Sequence, residues 1–157
     1  QEGFSTRFDA NERTYEYCVH TQKDPFQNAY SLFIEHDLAI DKMNEACQHL
    51  LGRQDFQSFS KAKTEVNNFF CEITHAEWTQ NLDGQLIFTI TANRFLRNMV
   101  RAIVGTLLEV GIGKQEPDYV ISVIAAKSRS AAGKSVAAKA LFLTKIAYDK
   151  STWQILN

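Results

Sequence analysis

Cysteines and histidines are few in this sequence, and they show neither disulfide nor metal-ligand spacing. The three cysteines, Cys18, Cys47 and Cys71, are odd in number, far apart and never arranged as Cys-x-x-Cys. This pattern indicates reduced thiols rather than disulfide bridges or a zinc site. The four histidines likewise lack ligand spacing, so we expect no metal centre.

Long hydrophobic runs and excess positive charge are also lacking. No apolar run approaches the roughly 18 residues of a membrane span, and no basic start followed by an apolar core marks a secretory signal. We therefore expect a cytoplasmic protein. The formal net charge of -1 argues against a large non-specific nucleic-acid surface, although it is compatible with a local basic groove.

What the sequence does contain is enough apolar material for one packed domain. A hydrophobic content of 45%, with 11% aromatics, in 157 residues predicts a single globular domain over 1–157. The chain begins at Gln1 without a methionine and soon reaches strongly patterned sequence. We therefore expect it to be part of a longer protein.

Hydrophobic periodicity and turn residues predict an α+β domain. Strands are predicted at 13–20, 70–80, 85–92 and 141–148, a short extended piece at 30–35, and helices beginning at Asp41, Asn93 and Glu116. The Asp83-Gly84 step indicates a hairpin. This order favours helices packed on one face of a mostly antiparallel sheet, with the other face free to bind a partner.

The segment 93–110 combines the clearest helical period with a cluster of arginines. At about 100° per residue, Arg94, Arg97 and Arg101 fall within roughly 60° of one another, and Gly105 follows one turn later. Such a row is either the solvated face of an amphipathic helix or a surface for phosphates or carboxylates. The second interpretation is favoured by the arginines, whose planar fork pairs with anions in a bidentate manner.

The segment 52–59 is predicted to be a compact loop with two aromatic side chains. Phe56 and Phe59 are three residues apart, and Lys61 and Lys63 follow them. Aromatics beside lysines suit base stacking and phosphate contact, but rings that pin a loop to the core give the same pattern. Both interpretations stay open.

Five stretches, in the same order and spacing, resemble the C-terminal half of the TruA-type tRNA pseudouridine synthases over nearly the whole chain. They resemble that family's entry motif Phe-x-x-Arg-Phe-x-Ala-x-x-Arg-x-Tyr (Phe4, Arg7, Phe8, Ala10, Arg13, Tyr15), its loop Gly-x-x-Asp-Phe-x-Ser-Phe (52–59), its helix Asn-x-Phe-x-x-x-Met-Val-Arg-x-x-Val-Gly (93–105), and its last loop (129–133) and strand (141–143). The chain departs from the family pattern at Gln54, Cys71, Ala137 and Ala140.

The resemblance implies isomerisation of uridine to pseudouridine in the anticodon stem-loop of tRNA. It also implies that no metal or organic cofactor is needed, and that a homodimer holds the tRNA across both subunits. The family's nucleophile is an aspartate in a Gly-Arg-Thr-Asp-x-Gly-Val-His motif of its N-terminal half. The Gly-Arg-Gln-Asp run at 52–55 imitates that motif, but Gln57, Ser58 and Phe59 stand where it needs glycine, valine and histidine. We therefore expect this chain to lack the nucleophile and to be inactive without its N-terminal domain.

The resemblance also implies three site residues. Tyr15 is expected to stack on the flipped uracil and to assist proton transfer, Arg101 to pair with the absent aspartate, and Leu141 to form an apolar wall. The residue pattern alone indicates a sheet-packing ring for Tyr15 and a core residue for Leu141.

Further residues are expected to support this site. The candidates for phosphate contacts, against a plain solvated role, are Arg13, Lys61, Arg94 and Arg97, and the site-supporting loop residues are Asp55, Phe56, Ser58 and Phe59. Asp55 is expected to accept hydrogen bonds that fix the loop. Two alternatives to the synthase half-site are a non-catalytic RNA-binding or dimerisation domain and a self-sufficient enzyme that uses Asp55.

Overall fold

The computed structural model describes residues 9–61, 66 and 68–149. The motif positions Phe4, Arg7 and Phe8, and the basic residue Lys63, lie outside this range. Within it, the chain forms six strands and three α-helices. The strands are β1 (Ala10–His20), β2 (Leu32–Phe33), β3 (Gly52–Asp55), β4 (Phe70–Gln80), β5 (Leu86–Ala92) and β6 (Leu141–Tyr148), and the helices are α1 (Ile40–Gln48), α2 (Met99–Gly111) and α3 (Tyr119–Ala126).

The six strands form one mixed, mostly antiparallel sheet, which confirms the α+β prediction. β1 pairs with β5 on one side and, on the other, with β6 along its first part and with the short parallel β2 at its end. β5 continues to β4 and then to β3. β4 and β5 form the predicted hairpin, and Gly84 takes the positive φ of 79° that its turn requires.

A bulge in β4 keeps its apolar side chains on one face of the sheet. Cys71 and Ile73 are buried before the bulge, and Ala76 and Trp78 are buried after it, so the alternation shifts by one residue. The pairing with β5 shifts between Ile73 and His75. One extra residue in a strand produces this change of phase, and the buried face therefore stays continuous against the helices.

The opposite face of the sheet carries threonines and side chains of both charges. Thr14 and Thr91 share a hydrogen bond of 2.9 Å across two strands there. Glu16 and Glu77 flank Thr89 from its two sides.

Helix α2 forms the centre of the core. Eleven of its 13 residues are buried, and only Arg101 and Glu109 are partly exposed. A helix that is apolar almost all round is surrounded by protein. The apolar stripe predicted from the sequence is buried throughout: Leu96, Met99, Val100, Ile103, Val104, Leu107 and Leu108.

Several predicted boundaries are wrong. Helix α2 begins at Met99 rather than at Asn93, because Asn98 adopts a left-handed conformation with φ of 69°. The predicted loop 52–59 is strand β3, which pairs with β4, followed by a 3-10 turn at Gln57–Phe59. Helix α1 starts from Ala39, with Asp41 in its first turn instead of at its cap. Helix α3 begins at Tyr119, not at Glu116.

No helix in the described ranges is long and apolar enough to cross a membrane.

Candidate nucleotide-binding site

A cavity of about 460 Å³ lies where β1, the start of β6 and the segment leading into α2 meet. Its lining includes all three residues expected to form the reaction site, together with two of the four candidate phosphate contacts. The lining residues are Tyr15, Val66, Arg94, Phe95, Leu96, Arg97, Asn98, Met99, Val100, Arg101 and Leu141. The fold thus brings together residues that are up to 126 positions apart, taking Tyr15 and Leu141 as the extremes.

Arg101 enters this cavity from the otherwise buried helix α2. Its Nε donates a hydrogen bond of 2.6 Å to the carbonyl oxygen of Val136. The ion pairs formed among the described residues do not include Arg101. Its two terminal nitrogens are therefore available to an anion, and a carboxylate is a suitable bidentate partner.

Tyr15 is held by an aromatic neighbour. Its ring meets that of Phe95 edge to face, with a centroid distance of 5.2 Å and an interplanar angle of 89°. This arrangement is a preferred geometry for aromatic pairs. No role for Phe95 was expected from the sequence, although its position inside the Asn-x-Phe motif was a signal that could have led to it.

Arg94 and Arg97 reach the cavity from the irregular segment before α2, so the predicted helical row of three arginines is wrong. The backbone oxygen of Arg97 accepts a hydrogen bond of 3.0 Å from the backbone N–H of Lys61. Arg94 Nη1 lies 3.5 Å from Asn68 Oδ1. Lys61 and Arg97 are thus neighbours through a tertiary contact rather than through helical spacing.

The Arg13 side chain forms hydrogen bonds with backbone carbonyls near the cavity. Its Nη1 donates to the carbonyl oxygens of Ala10 and Asn93, at 2.7 and 2.6 Å. The residues that line the cavity do not include Arg13. Its guanidinium therefore joins the first strand to the segment that leads into α2.

The predicted supporting loop lies outside the cavity and anchors the core. Phe56 and Phe59 are fully buried, so their rings pin the loop rather than stack on a base. Asp55 Oδ1 accepts a 3.0 Å hydrogen bond from the backbone N–H of Gln57, and Asp55 Oδ2 lies 3.2 Å from Lys127 Nζ. Both oxygens of the Asp55 carboxylate thus have partners, one in its own loop and one at the end of α3.

Ser58 links the same loop to α3. Its hydroxyl donates to the carbonyl oxygen of Val123 at 2.6 Å and accepts from the backbone N–H of Ser128 at 2.9 Å. Ser58 is fully buried. Its contacts are with the scaffold, and it does not line the cavity.

Gly105, one turn beyond Arg101, packs against protein backbone and is not open to a ligand. A Cβ built on Gly105 would lie 1.9 Å from the carbonyl oxygen of Lys134, and one built on Gly133 would lie 2.8 Å from the backbone of Gly105. Glycine at both positions lets the segment 132–137 pack directly on α2. We call this segment the strap.

A larger cavity of about 690 Å³ lies at the other end of β1, between the loop after His20 and the β4–β5 turn. Its walls include five amide side chains and charges of both signs, and none of the residues expected to act in the reaction lines it. The smaller cavity is therefore the better candidate site, because it combines the arginines, Tyr15 and Leu141. The described residues contain no cluster of three or more histidine, cysteine or acidic side chains suited to a metal ion.

Comparison with known proteins agrees with this geometry. Residues 46–149 match the family model described as tRNA pseudouridine synthase. The chain is 49% identical over 148 residues to tRNA pseudouridine synthase A of Bacteroides fragilis, covering 94% of this chain and 59% of that protein. It is 50% identical over 150 residues to the Parabacteroides distasonis protein of the same name, covering 95% and 59%. The corresponding values for the Bacillus subtilis protein are 44% over 150 residues, covering 94% and 60%.

The chain thus spans about three fifths of the length of the curated relatives it matches. The family match covers well over half of its residues and includes α2 and the strap. The chain belongs to the TruA-type tRNA pseudouridine synthase family.

Proposed function

We propose that this chain is the C-terminal part of a cytoplasmic, homodimeric tRNA pseudouridine synthase that isomerises uridine in the anticodon stem-loop. The observation that carries the proposal is the cavity in which Tyr15, Arg101 and Leu141 meet from three separate elements. The nucleophilic aspartate is then supplied by the N-terminal domain of the complete protein. This chain contributes the groups that receive that aspartate and the base.

The role of Arg101 follows from its surroundings. A nucleophilic carboxylate in a partly dry pocket must stay ionised, and a bidentate guanidinium favours the ionised form by lowering the pKa of the carboxylate. Val136 occupies Nε of Arg101, which leaves the two terminal nitrogens to face the incoming carboxylate. An arginine with these two donors and no acidic partner among the described residues suits a half-site.

Tyr15 and Leu141 provide the surface for the base. Isomerisation breaks the bond between N1 of uracil and C1′ of the ribose and forms a bond between C5 and C1′, while C5 loses a proton and N1 gains one. The base must leave its stack and turn, and an aromatic face opposite an aliphatic wall compensates the lost stacking. The edge contact from Phe95 fixes the ring of Tyr15 in place for this purpose.

The phosphates of the tRNA then lie along the mouth of the cavity. Arg94 and Arg97 line it, and Lys61 is joined to Arg97 through the backbone. These side chains would place the stem-loop without reading its sequence. Arg13, whose Nη1 bonds two carbonyl oxygens, fits a supporting role better than a phosphate contact.

The first prediction tests Arg101 in the protein obtained when this chain is expressed with the sequence that precedes it in its gene. Arg101→Lys keeps the charge but loses the bidentate fork. We expect kcat for conversion of uridine to pseudouridine in tRNA to fall by about 100-fold or more, the order seen when one preorganised donor is removed from an active site. Conversion is measured at steady state, as tritium released from tRNA that carries tritium at C5 of its uridines.

Arg53→Lys is the matched control. Arg53 lies on the edge strand β3, with its guanidinium 5.6 Å from the centre of the Phe70 ring, and does not line the cavity. The control is expected to keep its kcat. Full activity in Arg101→Lys would contradict the proposed function, and tRNA binding without any conversion in the unsubstituted protein would favour a non-catalytic RNA-binding domain.

A further inference from the structure

The strap holds Arg101 by hydrogen bonds in both directions. Val136 accepts from Arg101 Nε at 2.6 Å, and the backbone N–H of Val136 donates to the carbonyl oxygen of Arg101 at 3.2 Å. Val136 is therefore a backbone clamp on both ends of the same arginine. The direction of the guanidinium in the cavity depends on the position of the Val136 carbonyl.

The strap itself has no regular secondary structure between the 3-10 turns at Arg129–Ala131 and Ala138–Ala140. An irregular segment keeps a fixed position only if its backbone groups find partners elsewhere. Thr106 Oγ1 of α2 accepts from the backbone N–H of Gly133 at 2.9 Å. The side chain of Ser135 is held as well, because its Oγ accepts from Nδ2 of Asn98, the residue before α2, at 2.6 Å.

Arg129 makes three further hydrogen bonds to the strap. Its Nη1 donates to the carbonyl oxygens of Ala132 and Gly133, at 3.3 and 3.1 Å, and its Nη2 donates to Ser135 Oγ at 2.7 Å. One planar side chain thus bonds three points of the strap. The ion pairs between described residues do not include Arg129, and it does not line the cavity.

We propose that Arg129 is a positioning residue for Arg101: it fixes the strap, and through the Val136 carbonyl it fixes the direction in which Arg101 presents its two terminal nitrogens. This inference rests on the proposed function of Arg101. Lysine cannot replace Arg129, because a single ammonium group cannot reach three acceptors with the geometry of a guanidinium fork. A displacement of about 1 Å in a catalytic group lowers turnover by up to about 100-fold.

The test uses Arg129→Lys and the milder Ser135→Ala in the complete protein. We expect kcat to fall by about tenfold or more in both, with KM for tRNA within about threefold of its starting value, because the strap acts on a reacting group rather than on tRNA binding. In NMR spectra, hydrogen exchange of the Arg101 Nε–H is expected to become at least about tenfold faster, since its hydrogen bond to Val136 opens more often. When Arg101 is already lysine, Arg129→Lys is expected to lower kcat little further.

Lys134→Ala is the control, because Lys134 is an exposed cation in the same strap. This substitution is expected to leave both kcat and the hydrogen exchange of the Arg101 Nε–H unchanged. Unchanged exchange in Ser135→Ala and Arg129→Lys would overturn the proposal. A rise in KM alone would also overturn it and would make Arg129 an RNA contact. Exchange is measured without substrate, so it decides the role of Arg129 even where Arg101→Lys retains full activity and the proposed function fails.

Discussion

Gly105 is the residue at which α2 and the strap come closest, and it reverses the usual effect of a helical glycine. Replacing glycine by alanine inside a helix normally stabilises a protein by about 1 kcal/mol. In Gly105→Ala the new Cβ would lie 1.9 Å from the Lys134 carbonyl oxygen, which is backbone and cannot rotate away. We expect the free energy of unfolding in urea to fall by about 1–3 kcal/mol, as for an overpacked core. We expect kcat to fall as well, since the strap is displaced.

Gly113→Ala is the control that introduces backbone strain without displacing the strap. Gly113 has a φ of 76°, and a Cβ added there would have no atom within 4 Å. This substitution is expected to cost about 1–2 kcal/mol of stability through the left-handed backbone alone and to leave kcat unchanged. A Gly105→Ala protein that is as stable as its parent, or equally active, would contradict the close contact.

At the scale of elements, sequence periodicity predicted the buried stripe of α2 correctly but placed its start several residues too early. Periodicity records which side chains face the core, and Leu96 does so from outside the helix. Asn93 bonds the β4 backbone instead of capping a helix: its Oδ1 accepts from the Glu72 N–H at 2.9 Å, and its own N–H donates to the Glu72 carbonyl oxygen at 3.1 Å. These contacts join residues 21 positions apart, which no local pattern reveals.

The loop after β3 gives the element-scale prediction. In Ser58→Ala, the Val123 carbonyl and the Ser128 N–H lose their shared partner, and unsatisfied buried groups cost about 1–3 kcal/mol. We expect a loss of this size in the free energy of unfolding in urea.

Ser60→Ala is the matched control. Ser60 is similarly buried, but the hydrogen bond given for its hydroxyl is a long one of 3.4 Å to the adjacent Lys61 carbonyl. It is expected to lower stability less than Ser58→Ala does, because so long a hydrogen bond is weak. Equal effects of the two substitutions would show that Ser58 does not join the loop to α3.

At the scale of the whole molecule, the site could not be found from spacing, because the three expected site residues come one each from β1, α2 and β6. Composition and periodicity indicated a core role for Leu141 and sheet packing for Tyr15, and both residues do pack partly against the core. The family resemblance selected Arg101 from three arginines. Its distinctive physical feature, a partly exposed cation on a buried helix, becomes visible only when the fold is assembled.

Burial of titratable groups across the core makes the stability of the molecule sensitive to alkaline pH. Burial raises the pKa of Cys47 to about 12, of Cys71 to about 11 and of Tyr17 to about 12, with the Arg101 charge opposing the last shift. Unfolding returns these groups to their ordinary pKa values, so above about pH 9 the unfolded chain binds fewer protons than the folded one. The contribution of these groups to the free energy of unfolding is therefore complete below about pH 9 and is lost as the pH rises. Between the pKa of a group in the unfolded chain and its pKa in the folded protein, the loss is about 1.4 kcal/mol per pH unit.

Urea unfolding of this chain between about pH 8 and about pH 11 measures that slope. Cys47→Ala removes one of these groups. The fall in unfolding free energy with pH is therefore expected to become less steep by up to about 1.4 kcal/mol per pH unit, which corresponds to about one proton fewer released on unfolding. The comparison uses slopes, because the substitution also changes packing at a fully buried site and shifts the stability at every pH. An identical slope in Cys47→Ala and its parent would mean that this thiol titrates normally in the folded protein, and that α1 does not exclude water from it.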